Sequence, residues 1–506
     1  MPRALLEATA YPHPVAEVVL IETHISWVFV TGELTYKVKK PVRLDFLDFS
    51  SLDRRRHFCE EELRINRRFA PQIYLGLSRV VRTRDGRLTI DGAGEVVDFA
   101  VRMRTFDREQ ELDRLVERGD IEVREVRALG ADLAASHATS PAADASTTWC
   151  DPARMLRALH DASRSLAALW PEARERLAAL EHWADEAWTA VSPGQQQRRD
   201  SGAFRECHGD LHCGNVVRVD GRLTAFDALE FDPALSWIDP VNDLAFLLMD
   251  LDARGRADLA AATLDGWLTM SGDFEGLAPL RLFQVYRALV RALVNGIRAA
   301  QRPDDGAILA RERYLRAAEH HARPPRPRII VMGGVSGSGK SWLAERLLAP
   351  LGAIRVRADV ERKRLAGLSP LAASGGAIYS RELTARTYEC LAAAARAIVA
   401  GGYTAIVDAA CLMRAERDDL RAAARDCGVP AQLAWVTARD AVLAARIEQR
   451  RTTEADPSEA TLEVLRAQQG FVEVPGADEL AGGLLIDSSD GVDLARISAT
   501  LCPPAQ

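Results

Sequence analysis

The stretch Cys207-His208-Gly209-Asp210-Leu211-His212-Cys213-Gly214-Asn215 concentrates side chains that can do chemistry. After it the pattern reads as a strand from Val216 to Val219, an Asp220-Gly221 turn, and a second strand ending at Phe226-Asp227. That hairpin returns Asp227 to the loop that carries Asp210 and Asn215. Phosphoryl transfer needs such a set: a carboxylate to orient and deprotonate a hydroxyl, with an amide and a carboxylate to hold Mg²⁺. Zinc is a poor fit for Cys207, His208, His212 and Cys213, because structural zinc sites use two separated pairs and these crowd into one short loop.

A second centre is Gly334-Val335-Ser336-Gly337-Ser338-Gly339-Lys340-Ser341, which fits the spacing Gly-x-x-x-x-Gly-Lys-Ser/Thr. The apolar run Ile329 to Met332 leads into it, and a helical pattern (Trp342, Leu343, Leu347, Leu348) leads out. Gly334, Gly337, Ser338 and Gly339 can turn backbone N–H groups toward phosphate oxygens at a helix N-terminus. Lys340 would reach the outer phosphates and Ser341 would ligate Mg²⁺.

The chain is 506 residues long, which asks for two or three domains. Of its 65 basic residues only five are lysines, Lys37, Lys39, Lys40, Lys340 and Lys363, so a retained lysine can mark a place where a compact point charge is needed. Residues 25–40 read as a β-hairpin around Thr31-Gly32-Glu33, with Lys37 and Lys39 on one face of its second strand. A helix is expected over 52–69, where Glu62 shares the apolar stripe of Phe58, Ile65 and Phe69. A carboxylate on a buried stripe needs a cation, and a strand lysine just upstream is the natural one; otherwise Glu62 is a solvated edge residue. Further strands fall within 80–104, and helices dominate 108–190, 238–252 and 277–300, with a loop at 138–149. The prolines of 322–328 make a stiff linker. Beyond it, strands at 329–332, 354–357, 405–408, 432–436 and 483–486 alternate with helices, which predicts a parallel α/β sheet with its ligands at the strand carboxyl ends. Asp359, Arg362 and Asp408 lie at such ends, and Arg446, Arg450 and Arg451 precede a lid-like stretch at 452–458.

The run HGDLHCGN followed by FDALEFD resembles aminoglycoside phosphotransferases and related small-molecule kinases of the protein-kinase-like fold. That resemblance implies a two-lobed α+β domain over 1–321 (N-lobe to about 105, C-lobe from about 106). It makes Asp210 the catalytic base, Asn215 and Asp227 metal ligands, and Lys37 with Glu62 the nucleotide-positioning pair. Glu230 is then a second metal contact or a surface charge. The hairpin at 25–37 lacks Gly-x-Gly-x-x-Gly, a pattern these small-molecule kinases often omit. Residues 329–506 resemble the small P-loop kinases, including gluconate-kinase-like and zeta-toxin-like proteins. By that likeness Asp359 is a general base toward the acceptor hydroxyl and Arg450 a lid arginine that contacts phosphate; Arg362, one turn past Asp359, is counted with them as catalytic, and Asp408 ends its strand where a Mg²⁺-associated acid is expected. Asp359 also reads as a helix N-cap, and the arginines as a solvated helix face.

The expected reaction is Mg²⁺-dependent transfer from ATP or GTP to a hydroxyl of a small polar molecule, foremost a cationic amino sugar of the aminoglycoside class. A sugar or nucleoside kinase driven by the P-loop domain, and a nucleotide-sensing regulator, are the alternatives. A net charge of −7 disfavours broad nucleic-acid binding and suits a cationic acceptor. Without an 18-residue apolar run or a basic-then-apolar leader, and with scattered cysteines, the chain reads as cytoplasmic and free of membrane.

Overall fold

The computed structural model describes residues 2–44, 47–144, 149–301, 304–370, 372–374, 378, 380–451 and 460–502, apart from the side chains of Arg450 and Arg451. These residues pack into two compact units.

The first unit comprises Met1–Glu125, Ser136–Arg154 and Ser192–Asp250. Its main sheet is antiparallel and contains β1 (Val19–Glu22), β2 (Ser26–Val30), β3 (Leu34–Lys39), β4 (Tyr74–Arg82), β5 (Leu88–Ile90) and β6 (Glu95–Arg104) in the order β1-β2-β3-β6-β4-β5. The hairpin register pairs Lys37 with Val28 and Lys39 with Ser26. Alternation along β3 sends Tyr36 and Val38 into a core with Phe29, Val80 and Ala100. α1 (Leu52–Phe69) starts at Ser51, whose hydroxyl caps the Arg54 amide. Its buried stripe runs through Cys59, Glu62, Leu63, Ile65 and Asn66. Phe58 and Phe69 are only half-buried, so the apolar stripe is rotated from the expected one while Glu62 stays on it. The hairpin of β7 (Val216–Val219) and β8 (Arg222–Ala225) follows the stretch from Cys207 to Asn215. α2 (Val123–Thr139) contributes its end to this unit and α3 (Pro240–Ala253) most of its length.

The second unit comprises Val126–Ala135, Met155–Val191 and Leu251–Gln506. It thus gathers helices from before the 322–328 proline stretch as well as everything after it. α2 and α4 (Ala257–Ser271) meet backbone to backbone, since a Cβ on Gly266 would meet the Arg127 carbonyl at 2.1 Å and one on Gly130 the Thr263 carbonyl at 2.1 Å, and ion pairs from Asp265 to Arg355 and from Arg127 to Glu345 tie them to the residues after the prolines. α5 (Leu280–Gln301) and α6 (Asp305–His321) follow. The sheet after the prolines is parallel: β9 (Ile329–Gly333), β10 (Ala353–Arg357), β11 (Thr404–Asp408), β12 (Ala431–Thr437) and β13 (Leu484–Asp487), in the order β10-β11-β9-β12-β13. Its core packs Ile330, Met332, Ile406 and Val436 against Leu343, Leu347 and Leu351 of α7 (Lys340–Leu351).

Among the described residues no helix is long and apolar enough to cross a membrane. Part of the expected 138–149 loop and the whole of 452–458 lie outside the described residues.

The α2–α4 contact gives a direct test. Gly266→Ala should lower stability by about 3 kcal/mol, the upper end of the usual overpacking cost. Gly194→Ala, inside the helix Arg174–Asp200 where a Cβ meets nothing within 4 Å, should raise it by about 0.5–1 kcal/mol. Thermal unfolding of the full chain reads both.

Candidate active sites

In the first unit, β3 and α1 set a charge cluster between them. Lys37 Nζ lies 2.8 Å from Glu62 Oε1 and donates to Asp227 Oδ1 at 2.6 Å. Lys39 Nζ donates to Glu62 Oε2 at 2.7 Å and also to Glu230 Oε1. Glu62 and Lys39 are fully buried. Burial alone would raise the Glu62 carboxyl, but the two ammonium groups hold it well below its ordinary 4.5. Burial likewise opposes the charge on Lys39, and Glu230 and Glu62 keep its ammonium above its ordinary value. Glu62 is therefore no edge residue, and Glu230 is neither a surface charge nor a group facing solvent: its side chain is 5% exposed and ion-paired to Lys39.

The stretch from Cys207 to Asn215 is fixed from behind. Asp243 of α3 accepts from the backbone N–H groups of His208 and Gly209, both at 2.9 Å, and bonds His137 Nε2 at 3.1 Å. His208 Nε2 donates to the Phe226 carbonyl at 2.8 Å, which ties the loop to the end of the β7–β8 hairpin. Asn215 Nδ2 donates to the Asp210 carbonyl at 2.9 Å and to its Oδ2 at 3.1 Å. The Phe226 amide donates to the Asn215 carbonyl at 2.9 Å. Asp227 itself is in the left-handed region at φ 61°, and its amide donates to the Tyr74 hydroxyl at 3.0 Å. Asn66 of α1 brackets Ala228, accepting from its amide at 2.8 Å. The structure thus joins Lys37, Glu62 and Asp227 by ion pairs, and Asp210 to Asn215 by hydrogen bond.

In the second unit, β9 delivers the glycine-rich loop to the N-terminus of α7. Gly334 has φ +134°, and a Cβ there would lie 2.2 Å from the Val436 carbonyl, so only glycine fits. Gly337 and Gly339 also have positive φ. Arg446, from the helix Asp440–Arg451, donates to the Gly337 and Ser338 carbonyls at 3.3 and 3.4 Å and to Ser488 Oγ at 2.8 Å. It grips the loop itself. Gln468 Oε1 accepts from the Ser336 amide at 2.7 Å. Ser341 Oγ donates to Asp408 Oδ1 at 2.9 Å. Asp408 Oδ2 is buried and accepts no hydrogen bond among the described residues.

A cavity of about 400 Å³ opens on Gly337, Gly339, Lys340, Ser341, Asp359 and Arg446, with Trp342 and Val492 adding apolar surface. Asp359 is the second residue of the helix Ala358–Leu365, whose N-cap is Arg357, so it lines the cavity and does not cap the helix. Arg362 is buried and donates to Asp359 at 3.4 Å. The Arg450 side chain lies outside the described residues.

Residues 34–283 match the model of the phosphotransferase enzyme family, and residues 329–475 that of an AAA domain. A protein of Mycobacterium tuberculosis is 31% identical over 415 residues, covering 79% of this chain and 80% of that one. The chain belongs to the phosphotransferase enzyme family, joined to a P-loop kinase domain. It is a kinase-type enzyme. The mycobacterial relative, like a Mycobacterium bovis protein with the same identity and coverage, is described as uncharacterized. Among solved structures, a choline/ethanolamine kinase family protein from Mesorhizobium loti is similar at 14% identity, over 64% of this chain and 94% of that chain, with a TM-score of 0.39. A gluconokinase from Sinorhizobium meliloti is similar at 24% identity, over 36% and 91%, with a TM-score of 0.24.

Lys39, Asp243, His137, Asn66 and Gln468 are not marked as site residues by spacing, because each acts through a partner distant in sequence. Lys39 carried a signal, since it is one of five lysines in an arginine-rich chain.

The Glu62 cluster gives a second test. Glu62→Gln leaves two buried ammonium groups short of an anion and should cost about 3–5 kcal/mol in urea unfolding. The folded-state carboxyl is held low, so its contribution is present above pH 4.5 and is lost as pH falls below that value. The variant should lack that part of the acid sensitivity.

Proposed function

We propose that the chain transfers the γ-phosphate of ATP or GTP to a hydroxyl of a small polar acceptor, using two phosphate-handling domains, 1–321 and 329–506, on either side of the 322–328 linker. The observation that carries this reading is the single cavity on which Lys340, Ser341 and Asp359 converge beside Asp408. A cation for outer phosphates, a hydroxyl and carboxylate for a metal, and a carboxylate for an acceptor are the parts that transfer requires. The volume lies within the usual range for small-ligand sites.

Mg²⁺ fits the donor sets. Ser341 and Asp408 offer hard oxygens, one of them a buried carboxylate oxygen that accepts no hydrogen bond among the described residues and has Arg355 and Arg357 at 3.7 Å. In the first domain Asn215 and Asp227 would be the corresponding pair. When bound, the ion neutralises charge on the transferring phosphate. Around it, Lys340 and the loop amides of Gly334, Gly337, Ser338 and Gly339 bind and orient phosphate. Asp210 and Asp359 each offer a base for a hydroxyl, with Arg362 beside Asp359 and Arg450 as a further phosphate contact. In the first domain Lys37, braced by Glu62, would position the nucleotide.

For the acceptor of the first domain, the resemblance at HGDLHCGN favours an aminoglycoside, with resistance by phosphorylation as the outcome. The net negative charge suits such a polycation. A second reading makes the chain a sugar or nucleoside kinase driven by the P-loop, with the first domain recruiting substrate. It is favoured by one contrast: Lys37 is ion-paired to Glu62 and Asp227, whereas Lys340 lines a cavity and makes no ion pair among the described residues.

The experiment is a phosphorylation assay of the purified chain with ATP or GTP against aminoglycosides, sugars and nucleosides, repeated with Asp210→Ala and with Lys340→Ala. On the first reading Asp210→Ala lowers transfer by about 10²–10⁴-fold. Full activity of Asp210→Ala with loss in Lys340→Ala selects the second reading. If neither substitution changes transfer, both site assignments fail.

A further inference from the structure

Arg355 occupies the middle of β10 between Ile354 and Val356 and is 5% exposed. Its Nε and Nη2 donate to Asp265 Oδ1 and Oδ2 at 3.1 and 2.8 Å, a forked carboxylate contact. Its Nη1 donates to the Ser341 carbonyl at 3.2 Å and stops 3.7 Å from Asp408 Oδ2, the distance at which Arg357 Nε also stands from that oxygen. That oxygen is the buried one that accepts no hydrogen bond. Asp265 is 5% exposed and belongs to α4, inside the stretch matched to the phosphotransferase family and outside the one matched to the P-loop domain. It is itself anchored. Arg127 Nε lies 3.2 Å from Asp265 Oδ2, and Arg127 Nη1 lies 2.9 Å from Glu345 of the P-loop helix. The Gly130 and Gly266 contacts fix the backbones that carry both groups.

A buried guanidinium moves toward whatever carboxylate it can reach. With Asp265 in place, the fork satisfies Arg355 and fixes its plane. Without that charge, a shift of about 1 Å brings Nη1 into hydrogen-bond range of Asp408 and puts a cation where a metal would need the oxygen. We propose that Asp265 is a positioning residue of the P-loop centre: by holding Arg355 off Asp408 it keeps that carboxylate open to the Mg²⁺ that accompanies the nucleotide. The proposal rests on the reading of Lys340, Ser341 and Asp408 as a Mg²⁺–nucleotide centre.

The test is binding of a fluorescent ATP analogue to the full chain, titrated once with Mg²⁺ and once in EDTA, with folding followed by thermal unfolding. The share of binding that Lys340→Ala removes is the P-loop's share. Asp265→Asn should weaken that share about 10–100-fold with Mg²⁺, the usual cost of losing a group that orients a metal ligand, and leave it within about twofold in EDTA. The double variant Asp265→Asn/Arg355→Gln, which also removes the intruding cation, should recover most of the loss. Equal weakening with and without Mg²⁺, no weakening, or a double variant as weak as the single one overturns the proposal. Should Asp265→Asn not fold, Arg355→Gln decides: Mg²⁺-supported binding no weaker than wild type upholds it, and a Mg²⁺-specific loss overturns it. If Lys340→Ala removes no binding at all, the P-loop reading itself falls and the proposal with it.

Discussion

A charge taken out of water must meet an opposite charge, and both candidate centres are built around that constraint. Glu62 is fully buried and stands between Lys37 and Lys39, each of which has a second acid in Asp227 or Glu230. Arg355 is nearly as buried and stands between Asp265 and Asp408. Glu62 is shared by two lysines, one of which also holds Asp227, a residue proposed to touch metal, whereas Arg355 is forked on Asp265 and stops 3.7 Å short of Asp408. Sharing makes the geometry stiff, because no member can turn away without leaving an unpaired charge in a poorly solvated place. It also makes the functional groups dependent on residues that touch no ligand themselves.

The loop from Cys207 to Asn215 shows the same economy with dipoles. Asp243 takes two successive backbone amides of the His208–Gly209 turn, and His137 steadies Asp243. His208 spends its ring on the Phe226 carbonyl. The residue types that look catalytic in sequence are thus divided: His208 is a strut, whereas Asp210 and Asn215 face one another.

Much of this was legible in the chain. The helix over 52–69, the hairpin around Asp220-Gly221 and the five parallel strands follow from periodicity and turn residues. The glycine-rich loop announced itself because its steric demands leave no alternative at Gly334. Partnership was harder to read. Nothing local links Asp265 to Arg355, yet each sits in an apolar run, Thr263-Leu264-Asp265-Gly266-Trp267 and Ile354-Arg355-Val356. A charge in such a run says that a partner exists without saying where. Glu230 reads equally as a metal contact or a surface charge from its place after Asp227, and its burial against Lys39 removes the second of these.

The proline stretch at 322–328 has the composition of a boundary, and the family models stop and start on either side of it. The buried Asp265–Arg355 fork crosses that line in sequence. A recombination event that cut the gene at the prolines would strand Arg355 inside the sheet without its counter-charge. A fragment that begins at the prolines would keep Arg355 in its sheet and lose the acid that answers it.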